Sequence, residues 1–240
     1  MPDTSPKGQL PKVRTVSNLT EQVHDLLMSA IVDGDLEPGT LYSVQSLSRE
    51  LGVSRTPVRE AMLQLARRGI VEMVPNQGVR IVQRSLADLE DIFEVRLWLE
   101  VPAVREAVPK MEPADLARIL ASFNRMRECA LTGDGRGLES EDRVFHAAIL
   151  ECSGNLRVGV LIDELRDFVV AQGKTTTGRS RTLLEIVEAH APIVEAIERG
   201  DAEAAAQAMD RHLRSSAEAL LGQFADDAGE ALVGGRFVSS

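Results

Sequence analysis

The sequence predicts a mainly α protein in two parts, an N-terminal winged helix-turn-helix followed by a C-terminal all-α antiparallel helical bundle. Apolar residues recur at helical spacing through most of the chain from Thr20 to Phe224. That period breaks once, where two β-branched runs flank a Pro-Asn-Gln-Gly turn. The charge is also divided unevenly. Residues 1–82 hold nine basic and nine acidic side chains, so the remaining 18 basic and 28 acidic residues supply the whole net charge of −10.

Residues 1–17 carry Pro2, Pro6, Gly8 and Pro11 with little apolar content and are expected to be disordered. From Thr20, the positions Val23, Leu26, Leu27, Ala30 and Ile31 mark an amphipathic helix that Asp33-Gly34-Asp35 ends. A short second helix after Ser43 turns Leu47 and Leu51 inward and stops at Gly52. Ser54 suits an N-cap and Pro57 a first turn for a third helix burying Val58, Ala61, Met62 and Leu65, closed by Gly69. Ile70–Val74 and Val79–Val82 then form the hairpin, completing a winged helix over residues 18–84.

The rest, residues 85–224, reads as six helices. They cover Leu86–Val108 with a kink at Pro102, Pro113–Leu131, Leu138–Cys152, a stretch after Asn155, Arg181–Arg199 and Asp201–Phe224. The stretch after Asn155 has Val158, Leu161, Ile162, Leu165 and Phe168 as its apolar stripe, and Gly173–Ser180 reads as a polar loop. Residues 225–240 form a tail with only a weak pattern. No apolar run approaches the roughly 20 residues a membrane-spanning helix needs. The two cysteines, Cys129 and Cys152, build no disulfide framework, so a reducing, cytoplasmic setting is expected.

Within residues 43–80 six arginines face three glutamates, a locally basic segment in an acidic chain. Arg55, Thr56 and Arg59 open the third helix, and in a helix-turn-helix that end enters the major groove. Arg55 and Arg59 are four apart and share a face, and a guanidinium fork fits guanine O6/N7 or a phosphate. Gln77 and Gly78 at the wing tip could reach the adjacent minor groove or backbone. A solvated charged surface is the alternative.

A second constellation lies in the helical half. Asp142 and His146 are four apart on one face, His190 follows the stripe of Ile186 and Ile193, and His212 follows that of Met209 and Leu213. Three inward imidazoles and one inward carboxylate suit a divalent cation, Zn²⁺ foremost, or Ni²⁺, Mn²⁺ or Fe²⁺, with positions left open for water or ligand. Singly, each histidine would be read as a satisfied core residue. Arg96 sits on a helix apolar nearly all round and needs a carboxylate, from the bundle or from a bound organic acid. His24 falls off its apolar stripe and is expected to be solvated.

The motif Val53-Ser54-Arg55-Thr56-Pro57-Val58-Arg59-Glu60-Ala61, with Gly69, Glu72 and Pro75–Gly78, closely resembles the winged helix of the GntR family of bacterial transcription regulators. The resemblance implies DNA contacts from Arg55, Thr56 and Arg59, with Ser54, Gln77 and Gly78 at the same surface. At Gln45, some relatives place a DNA-contacting arginine, so operator preference is expected to differ. Asp142–His146, His190–Ile197, Met209 and His212-Leu213 resemble the FadR-type (FCD) effector domain in its metal-binding branch. That resemblance implies a metal held by Asp142, His146, His190 and His212, and Arg96 facing a small organic-acid effector. It also implies a homodimer on a palindromic double-stranded operator, with no membrane partner and no catalysis. A metal-dependent hydrolase and a direct metal sensor are the alternatives to a metabolite-responsive regulator.

Overall fold

A computed structural model describes residues 19–83, 85–171, 181–228 and 236–237. The expected disorder of residues 1–17, the loop of 173–180 and most of the tail lie outside the described residues.

The N-terminal part comprises α1 (Leu19–Asp33), β1 (Leu41–Tyr42), α2 (Val44–Glu50), α3 (Arg55–Arg67), β2 (Val71–Val74) and β3 (Gly78–Ile81). The strands form an antiparallel sheet in the order β1-β3-β2, with Met73 opposite Val79 and Leu41 opposite Arg80. β1 was not expected, since two residues carry no period. Its ladder to β3 makes a three-stranded wing of a two-stranded hairpin. Val23, Leu27 and Ile31 of α1 meet Val58, Met62 and Leu65 of α3 in one core, with Ile70 and Ile81 closing it from the sheet.

The C-terminal part is helical. It runs through α4 (Leu86–Ala107), a 3₁₀ turn at Val108–Lys110, α5 (Pro113–Thr132), α6 (Gly135–Glu151), α7 (Leu156–Val170), α8 (Leu183–Glu188), α9 (Ala191–Glu198) and α10 (Ala202–Ala228). α4 lies along α10, α5 along α6, and α9 along α10. A reciprocal capping box starts α4: the Ser85 hydroxyl accepts from the Asp88 amide while the Asp88 carboxylate accepts from the Ser85 amide. Gly133 ends α5 in the left-handed conformation.

Three expectations are corrected. The helix expected over Arg181–Arg199 is two, α8 and α9, broken at His190. Thr182 caps α8 and Pro192 occupies the first turn of α9, so the local signals favour two starts over one long run. Leu161, expected on the buried stripe of α7, is exposed, while Val158, Ile162 and Leu165 pack against Ala103 and Leu150. His24 is mostly covered and meets the Asp25 carboxylate. α10 also runs beyond Phe224 to Ala228, and Phe237 is buried edge-on against Phe93.

Candidate metal centre and nucleic-acid interface

His146 projects from α6, His190 stands at the junction of α8 and α9, and His212 projects from α10. All three are buried, at 1%, 0% and 8% exposure. Their ring centroids lie 5.6 Å (146–190), 5.2 Å (146–212) and 4.1 Å (190–212) apart, and their ligand nitrogens fall within 4.8 Å of one another. Phe145 covers the cluster, edge-on to both His146 and His190.

The hydrogen bonds fix which nitrogen of two rings is free. The His190 Nδ1–H donates to the Ile186 carbonyl at 2.8 Å, so Nε2 carries the lone pair. That Nε2 faces Asp142 Oδ1 at 2.8 Å yet has no hydrogen-bond partner, because both atoms are acceptors. The His146 Nδ1–H donates to Glu100 Oε2 at 2.8 Å, leaving its Nε2 buried and unpartnered. His212 Nδ1 is also buried and unpartnered. Buried polar atoms without partners are costly, and several converging at one point ask for a cation. Burial pushes the His190 imidazolium down to about 3, with His146 adding to the effect. Burial likewise drives His212 well below its usual value, with the other two histidines contributing. Both rings are therefore neutral donors at pH 7. One carboxylate oxygen with three imidazole nitrogens is a donor set that Zn²⁺ and its first-row neighbours accept.

Two groups essential to this geometry escaped the sequence reading. Glu100 of α4 is fully buried and joins His146 to Arg96, whose Nε–H donates to its Oε1 at 2.7 Å. Burial alone would raise the Glu100 carboxyl, but Arg96 and His146 together outweigh it and hold it well below the usual carboxylate range. Arg96 is buried as expected and lines the adjoining cavity, with its Nε committed to this internal salt bridge. The second group is Arg166 of α7, which pairs with Asp142 Oδ2 and keeps a buried, unpartnered Nη1. Burial, with Arg96 nearby, pushes the Arg166 guanidinium down to about 9, so it stays charged at neutral pH.

The cavity beside the histidines measures about 370 Å³. Phe93, Leu138, Val169 and Leu220 supply apolar wall, and Arg96, Arg166, Arg181 and Ser216 supply donors. Arg181 is tied by Nη2 to the Ser215 carbonyl at 2.6 Å and to its hydroxyl.

At the other end, Arg55, Thr56 and Arg59 are exposed on the first turns of α3. Among the described residues, neither arginine meets a carboxylate within ion-pair distance. Ser54 is the exposed N-cap residue, and its hydroxyl makes no capping bond to the helix. Gln45 is exposed on the first turn of α2, and Gln77 is exposed at the wing tip, beside Asn76 in the left-handed conformation at φ 61°. Gly78 has φ 136°, and a Cβ there would lie 2.1 Å from the Tyr42 carbonyl oxygen, so the close approach of β1 to β3 requires glycine.

A winged helix with free arginines at its reading end, joined to a helical bundle, defines a DNA-binding regulator. The gntR family of bacterial regulatory proteins matches residues 19–81, and the FCD domain matches residues 91–215. The HTH-type transcriptional regulator LutR of Bacillus subtilis is 28% identical over 218 residues, covering 82% of this chain and 99% of its own. The HTH-type transcriptional regulator McbR of Escherichia coli is 31% identical over 154 residues, covering 64% and 69% respectively. The solved structure of E. coli McbR/YncC superposes with a TM-score of 0.73 at 26% identity, over 88% of this chain and 100% of that one. The chain belongs to the GntR family of transcriptional regulators, with an FCD domain, and it is not an enzyme. The hydrolase alternative therefore falls away. Among the described residues no helix is long and apolar enough to cross a membrane.

Proposed function

We propose that this regulator holds a divalent cation with Asp142, His146, His190 and His212, Zn²⁺ foremost. A small carboxylate bound beside the ion would change its affinity for a palindromic operator, read by a homodimer. The observation that supports this most is the convergence of unpartnered, buried nitrogens on one point that also faces a carboxylate oxygen. The bound ion supplies a Lewis-acidic anchor for an anionic ligand. The chain's own residues supply the rest: Asp142 balances charge, Glu100 orients His146, and the apolar wall excludes water.

A carboxylate is the fitting ligand because the cavity offers cationic donors beside the ion site. Arg166 Nη1 is the unsatisfied one, and Arg96 borders the same space with its Nε engaged. On the DNA side, Arg55, Thr56 and Arg59 read base edges and phosphates, with Ser54, Gln45, Gln77 and Gly78 flanking them.

The test is thermal-shift screening of small organic acids against full-length protein, both zinc-loaded and chelator-stripped, followed by operator binding with any hit. The expected result is an acid that raises the melting temperature only of the loaded form and shifts operator affinity. Zinc alone shifting operator affinity, with no acid adding to it, would mark a direct metal sensor instead. Full protein that retains no zinc after dialysis would remove the ion site.

A further inference from the structure

The ion site and the DNA reader lie in different domains, and α7 touches both. Its residues Arg166, Val169 and Val170 border the cavity, and Arg166 pairs with Asp142. A neighbouring face carries Asp163 and Asp167, one turn apart, and the helix ends at Ala171. Ala171 is 1% exposed and packs in the core of the winged helix, whereas Val169, two residues earlier, packs in the core of the bundle. One helix thus contributes to two hydrophobic cores.

The aspartates extend that connection. Arg68, which caps the C-terminus of the reading helix α3, places Nη1 2.5 Å from Asp167 Oδ2 and Nη2 3.4 Å from Asp163 Oδ2. Arg143 of α6 grips the same two carboxylates from the other side, Nη1 to Asp163 Oδ1 at 2.7 Å and Nη2 to Asp167 Oδ1 at 2.7 Å. Asp167 is buried, and its Oδ2 meets the Arg68 guanidinium as an ion pair without an aligned hydrogen bond. Arg143 directly follows Asp142, and Asp167 directly follows Arg166. Between α6 and α7 there are therefore two adjacent ion pairs of opposite polarity, Asp142–Arg166 beside the histidines and Arg143–Asp167 beside Arg68, with Arg143 also bordering the cavity.

We infer that the Arg143–Asp163–Asp167–Arg68 cluster is the junction through which occupation of the ion site is felt by the reading helix. This rests on the reading of Asp142 and the three histidines as an ion site. Drawing Asp142 Oδ1 into a coordination sphere shifts the balance of the Asp142–Arg166 pair. The next residue on each helix belongs to the second pair, so the change reaches Asp167 with no flexible segment between. Arg68 then passes it to the C-terminal end of α3, and Ala171 keeps the end of α7 seated against the same core. Linkage requires the reverse effect as well: fixing α3 on DNA alters affinity at the ion site by the same factor.

Full-length protein and its Arg68→Ala variant, each stripped with a chelator and each loaded with Zn²⁺, are compared by amide hydrogen exchange. Removing Arg68 leaves both aspartates paired with Arg143, so no buried charge is stranded, and zinc-dependent protection of α9 reports within each sample that the site has formed. In the parent protein zinc is expected to slow exchange several-fold in both α9 and α3. In Arg68→Ala the α9 effect persists and the α3 effect disappears. Equal zinc-dependent protection of α3 in the variant overturns the junction. So does parent protein in which zinc protects α9 and leaves α3 unchanged. Absence of bound zinc and of α9 protection in the parent is a different failure: it removes the ion site and, with it, any coupling from that site.

Discussion

Glu100 shows how much a single buried side chain can decide. Its carboxylate fixes the His146 ring with Nδ1–H inward and Nε2 toward the cluster, and it neutralises Arg96 in the same stroke. Outer-shell carboxylates of this kind typically change metal affinity about 10- to 100-fold when removed. Glu100→Gln is therefore expected to weaken zinc binding by about that factor in chelator competition. Because the substitution strands a buried guanidinium, the Arg96→Met/Glu100→Gln double variant serves as the folded control. Unchanged zinc affinity in both would deny Glu100 this role. The histidines also predict a pH dependence of stability. His190 titrates at about 3 in the folded protein against its usual 6.5, so between these values the unfolded chain binds a proton that the native state refuses. Stability of the stripped protein is thus full above about 6.5 and falls as the pH drops toward about 3, with His212 acting in the same direction. Urea midpoints measured across that window should fall with acidity, and His190→Phe should flatten the slope. The four proposed ligands were legible because i, i+4 spacing and apolar stripes place polar residues inward. Glu100 and Arg166 were not: α4, expected to be apolar nearly all round, also carries Glu90, Asp91 and Glu94 and leaves Trp98 exposed, and only the packing of α4 against α7 decides which charges lie inside.

At the scale of elements, the reading helix and the wing depend on different physics. α3 buries Val58, Ala61, Met62 and Leu65, which leaves Arg55 and Arg59 on its outer face, so the arginines can be changed without touching the core. Arg55→Ala should cost about 1–3 kcal/mol of specific operator binding in anisotropy titrations and leave the thermal midpoint unmoved. The wing is the reverse case. Gly78 holds a backbone that L side chains rarely adopt, with the Tyr42 carbonyl where a Cβ would go. Gly78→Ala is expected to lose about 1–3 kcal/mol of stability in chemical denaturation, through strain and a forced separation of β1 from β3. A midpoint equal to the parent's would show that the strands can part freely. The hairpin itself was readable from its turn residues and β-branched flanks. β1 was not, because two residues show no alternation and acquire their pairing only from β3. The break at His190 was missed for a related reason: the apolar period runs straight through it, and the Thr182 cap and Pro192 were weaker signals than the stripe.

For the whole molecule, the net charge of −10 opposes approach to DNA phosphates, and the locally basic reader must overcome it. A single winged helix of this size offers only a small basic surface, and each phosphate contact contributes modestly and less at high salt. Joining two readers through their bundles turns the second binding event into an intramolecular one and raises affinity without any new contact. The proposed homodimer therefore demands a particular operator. Fragments selected from random-sequence DNA should carry an inverted repeat with half-sites about one helical turn apart, roughly 10 base pairs centre to centre. Inserting about 5 base pairs between the half-sites puts them on opposite faces of the duplex and should abolish retardation in a gel, whereas about 10 should restore part of it. A selected site without a repeat, or an isolated half-site bound as tightly as the pair, would show that one reader suffices. In that case any coupling through α7 would have to act within a single chain, by tilting α3 in its groove rather than by changing the distance between two of them.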